Sequence, residues 1–419
     1  MRVLVATLPE LSHVLPAVPL CWALRAAGAE VLVASGGDVV KVTGAGLPMV
    51  DLMPGRGISD FLKAFDIAAL TGSGGGSAGS PPATAAAGEP TPAASSTKAV
   101  QDKLAVQDKL AEAPDYAGFL PHVSQTLPDE DIVALFAMMH RFVDVAVQWR
   151  PDVIVYGPMT VGALAAAAVL DVPAVEHGFG FLRTEGIDAL LRLLGSEVFD
   201  RHGVDLPADR HAIDVAPPSM LVGQPQGWPM RYIPYNGGGV VPDWLAAPPA
   251  RPRVAITLGN LVPALSGGHS LVERIIDQAA SVDAEFILAL GAVDAGLIGS
   301  LPANVRAVGY TPLTQLLPTC AAVIHHGGAG TCMGALDVGI PQLIFPQLFD
   351  HQHTADLVVK RGVGLAPDLP AGADLPAGIL EDLLGDARLR ECAREVRAEM
   401  RTMPTPADLA ARLVDLVRA

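Results

Sequence analysis

Short apolar runs that suit buried strands alternate with helical patterns in the first part of the chain. RVLVAT at residues 2–7 and EVLVAS at residues 30–35 are rich in β-branched residues, and the segment between them has a helical periodicity that ends near Gly28. PDVIVYGP and VPAVEH repeat this pattern between residues 151 and 177. A strand, a helix and a second strand at this spacing predict a parallel sheet with right-handed crossovers.

The same alternation starts again after a segment rich in proline and glycine. Five further runs are predicted to be strands, namely RVAITLG, AEFILAL, NVRAVGY, AAVIHH and PQLIFP. We therefore predict an α/β protein with two Rossmann-like domains at residues 1–215 and 253–400, a linker at 216–252 and a final helical stretch at 401–419. Open parallel sheets bind ligands at the carboxyl ends of their strands, so the cleft between the domains is the expected site.

One segment of the predicted first domain has a different composition. Residues 71–98 consist almost entirely of Gly, Ser, Pro, Ala and Thr. Such a segment cannot bury enough apolar surface to offset its ordering entropy, so we predict a disordered insertion. AVQDKL then occurs twice, at 99–104 and 105–110, which indicates a local duplication in a solvated helix and not a structural repeat.

The net charge and the cysteines narrow the class of protein. There are 44 Asp and Glu against 28 Lys and Arg, a formal net charge of −16, which argues against nucleic acid or an anionic membrane as a partner. The four cysteines have no metal-ligand spacing, which favours free thiols in a reducing cytosol. The N-terminus has no signal-peptide pattern and no apolar run reaches the ~18 residues of a membrane span, so a soluble cytoplasmic protein is expected.

The most informative motif is HHGGAGT at residues 325–331, between a predicted strand and a predicted helix. Gly327, Gly328 and Gly330 allow the backbone to approach a ligand closely, and the N–H groups at the helix start would face an anion. Thr331 can cap the helix or donate to a phosphate, and a histidine before the turn adds a further donor. Together these features predict a diphosphate site.

A nicotinamide site is the main alternative interpretation of these glycines. Gly328, Gly330 and Gly334 have a GxGxxxG spacing, and Asp350 follows roughly 20 residues later, where an acid would bind a ribose. Such fingerprints usually follow the first strand of a domain, however, whereas these glycines come later in the second domain. No separate proton-relay pair for hydride chemistry is visible in the sequence.

Other polar or aromatic residues follow predicted strands. His13 comes after the first strand at the end that faces the cleft, and an imidazole there is a natural general base. Asp350, His351 and Gln352 follow PQLIFP and suit the recognition of hydroxyl groups. Tyr310 lies at another strand end, where its ring can stack on a base.

A metal site is not predicted from the histidines. His351 and His353 are close in sequence, but no carboxylate or third histidine has a matching spacing. The charge of a bound diphosphate would then have to be met by backbone dipoles and imidazole.

The assembled pattern resembles the GT-B fold glycosyltransferases of actinomycete natural-product pathways, which move deoxysugars from TDP-sugars onto polyketide-type aglycones. HHGGAGT with the following PQ and Asp, the N-terminal SHVLPAVPLCWALRAAGAEV, MRYIPYNGGGVVPDWL and RVAITLG carry the likeness. The resemblance implies two Rossmann-like domains facing a cleft, with the C-terminal helix packing back on the first domain. It also implies a TDP-sugar as co-substrate and no cofactor.

The resemblance assigns roles to particular residues. His13 would be the general base of an inverting transfer to an aromatic or macrolide aglycone in antibiotic biosynthesis. Donor-binding residues would be Thr257, Gly259, Tyr310, His326, Gly327, Gly328, Ala329, Gly330, Thr331, Asp350 and His351, with Tyr310 facing the base and the Asp350–His351 pair on the sugar.

Some positions depart from the family pattern. His351 stands where the family has a glutamine, Thr354 where it has an asparagine, and Ala165 where plant relatives have an aspartate that orients the base. Members with a similar linker often work with a P450-like activator protein, and a homodimer stays open as an assembly state. The alternatives to a transferase are an NAD(P)-dependent oxidoreductase and a catalytically silent homologue that binds a nucleotide-sugar or stabilises a partner enzyme.

Overall fold

Each strand predicted from the sequence is a strand in the computed structural model. The structure describes residues 1–55, 129–182, 184, 186–221, 227–259, 269–289, 291, 300–347, 349–370 and 373–418. The insertion at 71–98 and the duplicated AVQDKL sequence lie outside the described residues.

The strands of the described residues are β1 (Arg2–Ala6), β2 (Glu30–Ser35), β3 (Met49–Asp51), β4 (Val153–Tyr156), β5 (Ala174–His177), β6 (Arg210–Asp214), β7 (Trp228–Pro229), β8 (Arg253–Thr257), β9 (Glu285–Ala289), β10 (Val305–Val308), β11 (Ala322–His325), β12 (Gln342–Ile344) and β13 (Gly364–Leu365). The α-helices are α1 (Leu11–Val14), α2 (Val18–Ala26), α3 (Asp129–Trp149), α4 (Val161–Leu170), α5 (Asp188–Leu194), α6 (Ser196–His202), α7 (Asp243–Ala246), α8 (His269–Ala279), α9 (Leu313–Leu316), α10 (Ala329–Val338), α11 (Phe349–Arg361), α12 (Ile379–Gly385), α13 (Ala387–Thr402) and α14 (Pro406–Arg418).

The strands form two parallel sheets, which confirms the predicted fold class. The first sheet has the order β3-β2-β1-β4-β5-β6-β7 and the second the order β10-β9-β8-β11-β12-β13. Strand order reverses between β1 and β4 and again between β8 and β11, so a crevice opens at the carboxyl ends of each of these pairs. The two-residue strand β7 lies within the segment 216–252, so part of the predicted linker belongs to the first sheet.

Alternating side chains place helices on both faces of the first sheet. Val3 and Val5 of β1 are buried in a cluster with residues of α2, whereas Leu4 and Ala6 are buried in a second cluster with residues of α3 and α4. In a strand successive side chains point to opposite faces, so an apolar residue at every position requires cover on both sides. This explains why β1 has no polar alternation.

The last helix of the chain contacts the first domain. Leu409 and Leu413 of α14 are buried in the same cluster as Val18 and Leu20 of α2. The Arg412 guanidinium carbon lies 4.2 Å from the centre of the Trp228 ring, a cation–π distance. Among the described residues, no helix combines the length and the apolar character that a membrane crossing requires.

Candidate active site

The HHGGAGT motif forms the connection between β11 and α10. β11 ends at His325, Gly328 is the N-cap residue, and α10 begins at Ala329 with no side chain bonded to its cap. Gly327 has φ +100°, a left-handed conformation that a residue with a Cβ rarely adopts. The first N–H groups of a helix have no intrahelical acceptor, so the start of α10 can bind an anion.

The other motif residues lie in the first turn of α10. Ala329, Gly330 and Thr331 follow Gly328 directly, and Thr331 is buried. A Cβ added to Gly330 would meet only the Tyr232 hydroxyl, at 3.8 Å. The open space beside Gly330 leaves the backbone of this turn accessible to a ligand.

His325 supports the turn. Its Nδ1 accepts a hydrogen bond from the Gly327 N–H at 3.2 Å, and its Nε2 lies 2.9 Å from Oε1 of Gln342. An amide oxygen can only accept, so Nε2 carries the proton and the ring is neutral. Burial lowers the pKa of His325 to about 3, in agreement with a neutral structural role. Both ring nitrogens of His325 are therefore hydrogen-bonded within the protein.

His326 lies against two glycines at which its ring leaves no room for a Cβ. A Cβ on Gly259 would be 2.7 Å from its Cε1, and a Cβ on Gly328 would be 2.5 Å from its Nε2. Its Nδ1 is buried and has no hydrogen-bond partner among the described residues. Burial first, and the neighbouring His351 second, lower the pKa of His326 to about 3. A hydrogen bond with the Thr257 backbone opposes this shift only in part, so His326 is a neutral imidazole beside the turn.

The end of β8 lies beside this turn, as the sequence predicted for Thr257 and Gly259. His325 and Thr257 are paired in register across β11 and β8. The Thr257 hydroxyl oxygen accepts from the Gly259 N–H at 3.3 Å, and Gly259 has φ +69°. The two central strands of the second sheet therefore end at one point, with backbone N–H groups and His326 around it.

His13 lies at the matching edge of the first sheet. It belongs to the short helix α1, whose N-cap Glu10 accepts from the Ser12 N–H at 2.8 Å. The His13 ring packs against Phe179, with ring centroids 4.4 Å apart, and its Nδ1 has no partner among the described residues. Burial lowers the pKa of His13 to about 4, so the imidazole is neutral at pH 7.

The loop after β5 connects His13 to the glycine turn of the second domain. Phe179 packs on His13, and a Cβ on the next residue, Gly180, would lie 2.6 Å from the Cβ of Ala329. The two predicted sites therefore meet across the cleft through one short loop. Phe179 and Gly180 were not predicted from the sequence. Their position directly after the strand VPAVEH could have indicated them, because ligands bind at the carboxyl ends of parallel strands.

Comparisons with known proteins agree with this geometry. Family models described as erythromycin biosynthesis protein CIII-like match this chain with their N-terminal domain at residues 124–259 and their C-terminal domain at residues 273–416. The elloramycin glycosyltransferase ElmGT of Streptomyces olivaceus is 37% identical over 99% of this chain and 97% of its own length. The chain belongs to the erythromycin CIII-like glycosyltransferase family.

Solved structures of glycosyltransferases support the same assignment. SnogD from Streptomyces nogalater is 38% identical, with a TM-score of 0.74 over 100% of this chain and 99% of that one. The spinosyn rhamnosyltransferase SpnG in complex with thymidine diphosphate is 28% identical, with a TM-score of 0.73 over 99% of this chain and 100% of that one. The chain is thus a glycosyltransferase with the GT-B fold that the sequence predicted.

The glycosyltransferase assignment argues against the nicotinamide alternative. In the second domain β8, β9 and β10 precede the glycine turn, which follows the fourth strand, β11. A dinucleotide fingerprint follows the first strand of its domain, where this protein has Thr257 and Gly259. The GxGxxxG spacing therefore does not stand where a dinucleotide fingerprint stands in its domain.

Asp350, His351 and Gln352, which were predicted to recognise hydroxyl groups, differ in their exposure to solvent. All three lie in the first turn of α11, where Asp350 is half-buried and His351 is buried. Gln352 is exposed, and its Nε2 donates to Oδ1 of Asp356 at 2.9 Å. Burial raises the pKa of Asp350 above its ordinary value. Of the three side chains, Gln352 is thus hydrogen-bonded within its own helix.

Tyr310 lies two residues after β10, and its hydroxyl donates to the carbonyl of Asn236 in the linker. The side chain is 59% exposed, so a face of the ring is open to a planar ligand.

In the described part of the chain, no group of three or more His, Cys, Asp or Glu side chains is arranged to hold a metal ion.

A methyl group at Gly328 is expected to disrupt anion binding. Gly328→Ala would place a carbon 2.5 Å from Nε2 of His326, so the imidazole or the turn must move. We expect TDP affinity to fall by roughly 10- to 100-fold, the equivalent of an overpacking cost of about 1–3 kcal/mol. Isothermal titration calorimetry measures this loss. Gly334→Ala in the same helix is the control, since its methyl would be 3.4 Å from Leu317 and should leave TDP binding unchanged.

Proposed function

We propose that this glycosyltransferase transfers a deoxysugar, with inversion, from a TDP-sugar to a polyketide-type aglycone, aromatic or macrolide, in antibiotic biosynthesis. His13 is the general base of the reaction. Its donor site consists of Thr257, Gly259, Tyr310, His326, Asp350, His351 and the turn from Gly327 to Thr331, and the first domain binds the acceptor. Neither a cofactor nor a metal takes part.

One observation carries the proposal: Phe179 packs on His13, and the next residue, Gly180, contacts Ala329 at the start of α10. Relatives support the chemistry of both substrates. SpnG has been solved with thymidine diphosphate and with spinosyn aglycone, and curated relatives include an aclacinomycin-T 2-deoxy-L-fucose transferase of Streptomyces galilaeus.

The proposed step balances protons and charge with groups of this chain. The buried Nδ1 of His13 leaves Nε2 to accept the proton of an acceptor hydroxyl. The acceptor oxygen then forms a bond to the anomeric carbon from one face, while the bond to the diphosphate oxygen breaks on the other. The leaving diphosphate gains negative charge, which the N–H groups at the start of α10 and the N–H of His326 stabilise, an effect typically worth several kcal/mol.

Two further parts of the proposal concern assembly. The linker sequence suggests a P450-like activator protein as a partner, and a homodimer is the other assembly included in the proposal. A silent homologue that only binds nucleotide-sugar would retain the donor site and lack turnover, so it differs from the enzyme in catalysis and not in TDP binding.

A ligand panel tests the donor. We expect TDP to raise the melting temperature of the protein by several degrees at saturating concentration and NADP to leave it unchanged, because only a ligand that binds the native state stabilises it. Stabilisation by NADP without TDP would contradict the proposal. Turnover of a TDP-deoxysugar with aromatic and macrolide aglycones, followed by chromatography, then separates the enzyme from a silent homologue.

A further inference from the structure

His351 has a different environment from Gln352, the next residue in the sequence. Its side chain is buried, whereas Gln352 is exposed and bonded to Asp356. A Cβ on Gly327 would be 2.8 Å from the Cβ of His351 and 2.9 Å from its carbonyl oxygen. The start of α11 is therefore in direct contact with the glycine turn, and His351 lies beneath that turn.

The ring of His351 packs on His326. The two ring centroids are 4.7 Å apart and the ring planes meet at 79°, an edge-to-face arrangement. This geometry is one of the two that aromatic pairs prefer. Since His351 is 5% exposed, a contact with a bulky ligand would require it to leave this position.

His351 is one of the groups that enclose the ring of His326. A Cβ on Gly259 would lie 2.7 Å from its Cε1 and a Cβ on Gly328 would lie 2.5 Å from its Nε2, so the backbone at both glycines packs closely on this part of the ring. A hydrogen bond with the Thr257 backbone also acts on the imidazole, whereas Nδ1 has no hydrogen-bond partner among the described residues. Of the two neighbouring histidine rings, His351 is the closer, with centroids 4.7 Å apart against 6.3 Å for His325.

We propose that His351 is a positioning residue that holds the imidazole of His326 at the diphosphate site, and is not a ligand of the donor sugar. This inference rests on the proposed use of the glycine turn as a diphosphate site. It leaves Asp350 as the side chain, of the three at the start of α11, that is placed to accept a hydrogen bond from a hydroxyl or amino group of the sugar.

Binding of TDP itself separates the two roles, because TDP carries no donor sugar. A sugar ligand would affect the KM for the TDP-sugar and leave the Kd for TDP unchanged. For a positioning residue, His351→Gln removes the aromatic contact and should weaken TDP binding roughly tenfold. His351→Phe keeps an aromatic edge at the same place and should stay within about threefold of the wild type.

A double-mutant cycle completes the test. In a His326→Ala background, His351→Gln should cause no further loss of TDP affinity, because the residue that it positions is gone. A wild-type Kd for TDP in His351→Gln, or an equal loss in both backgrounds, would overturn the inference. Melting temperatures of the ligand-free variants show whether each one folds. If the wild type itself binds no TDP, the proposed function fails and the role of His351 at a diphosphate site fails with it, whereas a wild-type Kd in His351→Gln overturns the role of His351 alone.

Discussion

Replacing His13 with alanine is expected to reduce the rate of sugar transfer by about 10²- to 10⁴-fold, the usual contribution of a general base. The donor turn lies in the other domain, so the Kd for TDP should stay within about twofold of the wild type. The His13 ring contacts Phe179, and its loss removes both the proton acceptor and one side of that contact. Steady-state transfer with a TDP-deoxysugar and its aglycone measures the rate, and calorimetry measures TDP binding.

The neighbouring residue provides the control. Ser12 is exposed in the same short helix, so Ser12→Ala keeps the helix and removes a hydroxyl that the proposed chemistry does not use. Its kcat should match the wild type. Unchanged turnover in His13→Ala would remove the assignment of the base, whereas equal losses in both variants would indicate that α1 is needed only for its shape.

The architecture could be predicted because it depends on local patterns. Buried parallel strands require apolar residues at every position, and runs such as RVLVAT and RVAITLG have that property independently of the rest of the chain. The glycine turn was also predictable, since Gly327 adopts a conformation that few other residues can. Both signals are contained in a few consecutive residues.

The contacts between distant segments could not be predicted in the same way. His325 and His326 are adjacent in sequence, but their side chains point to Gln342 and to Gly259, which lie in other strands or loops. The loop at Gly180 meets Ala329 only after both domains have folded. Contacts of this kind decide which side chain of a polar cluster is buried. The local sequence pattern therefore does not predict it.

Mild acid is expected to destabilise the ligand-free protein strongly. Burial lowers the pKa values of His13 and His177 to about 4 and the pKa values of His325, His326 and His351 to about 3, from an ordinary value of 6.5. As the pH falls below 6.5 the unfolded chain takes up protons at these residues, and the folded chain does not until about pH 4. The free energy of unfolding therefore falls between pH 6.5 and pH 4 and is fully retained above that range.

The size of this effect makes it testable. Each buried histidine changes the free energy of unfolding by about 1.4 kcal/mol per pH unit in this range. Burial raises the pKa of Glu176 to about 7, which offsets about one of the five histidines, so the net change approaches about 5.6 kcal/mol per unit. A typical domain is stable by only about 5–15 kcal/mol, so the urea midpoint at pH 5.5 should lie far below that at pH 7. His177→Gln cannot titrate at this position and should show a shallower pH dependence than the wild type. Equal urea midpoints for the wild type at pH 5.5 and pH 7 would mean that these imidazoles take up protons as readily in the folded protein as in the unfolded chain.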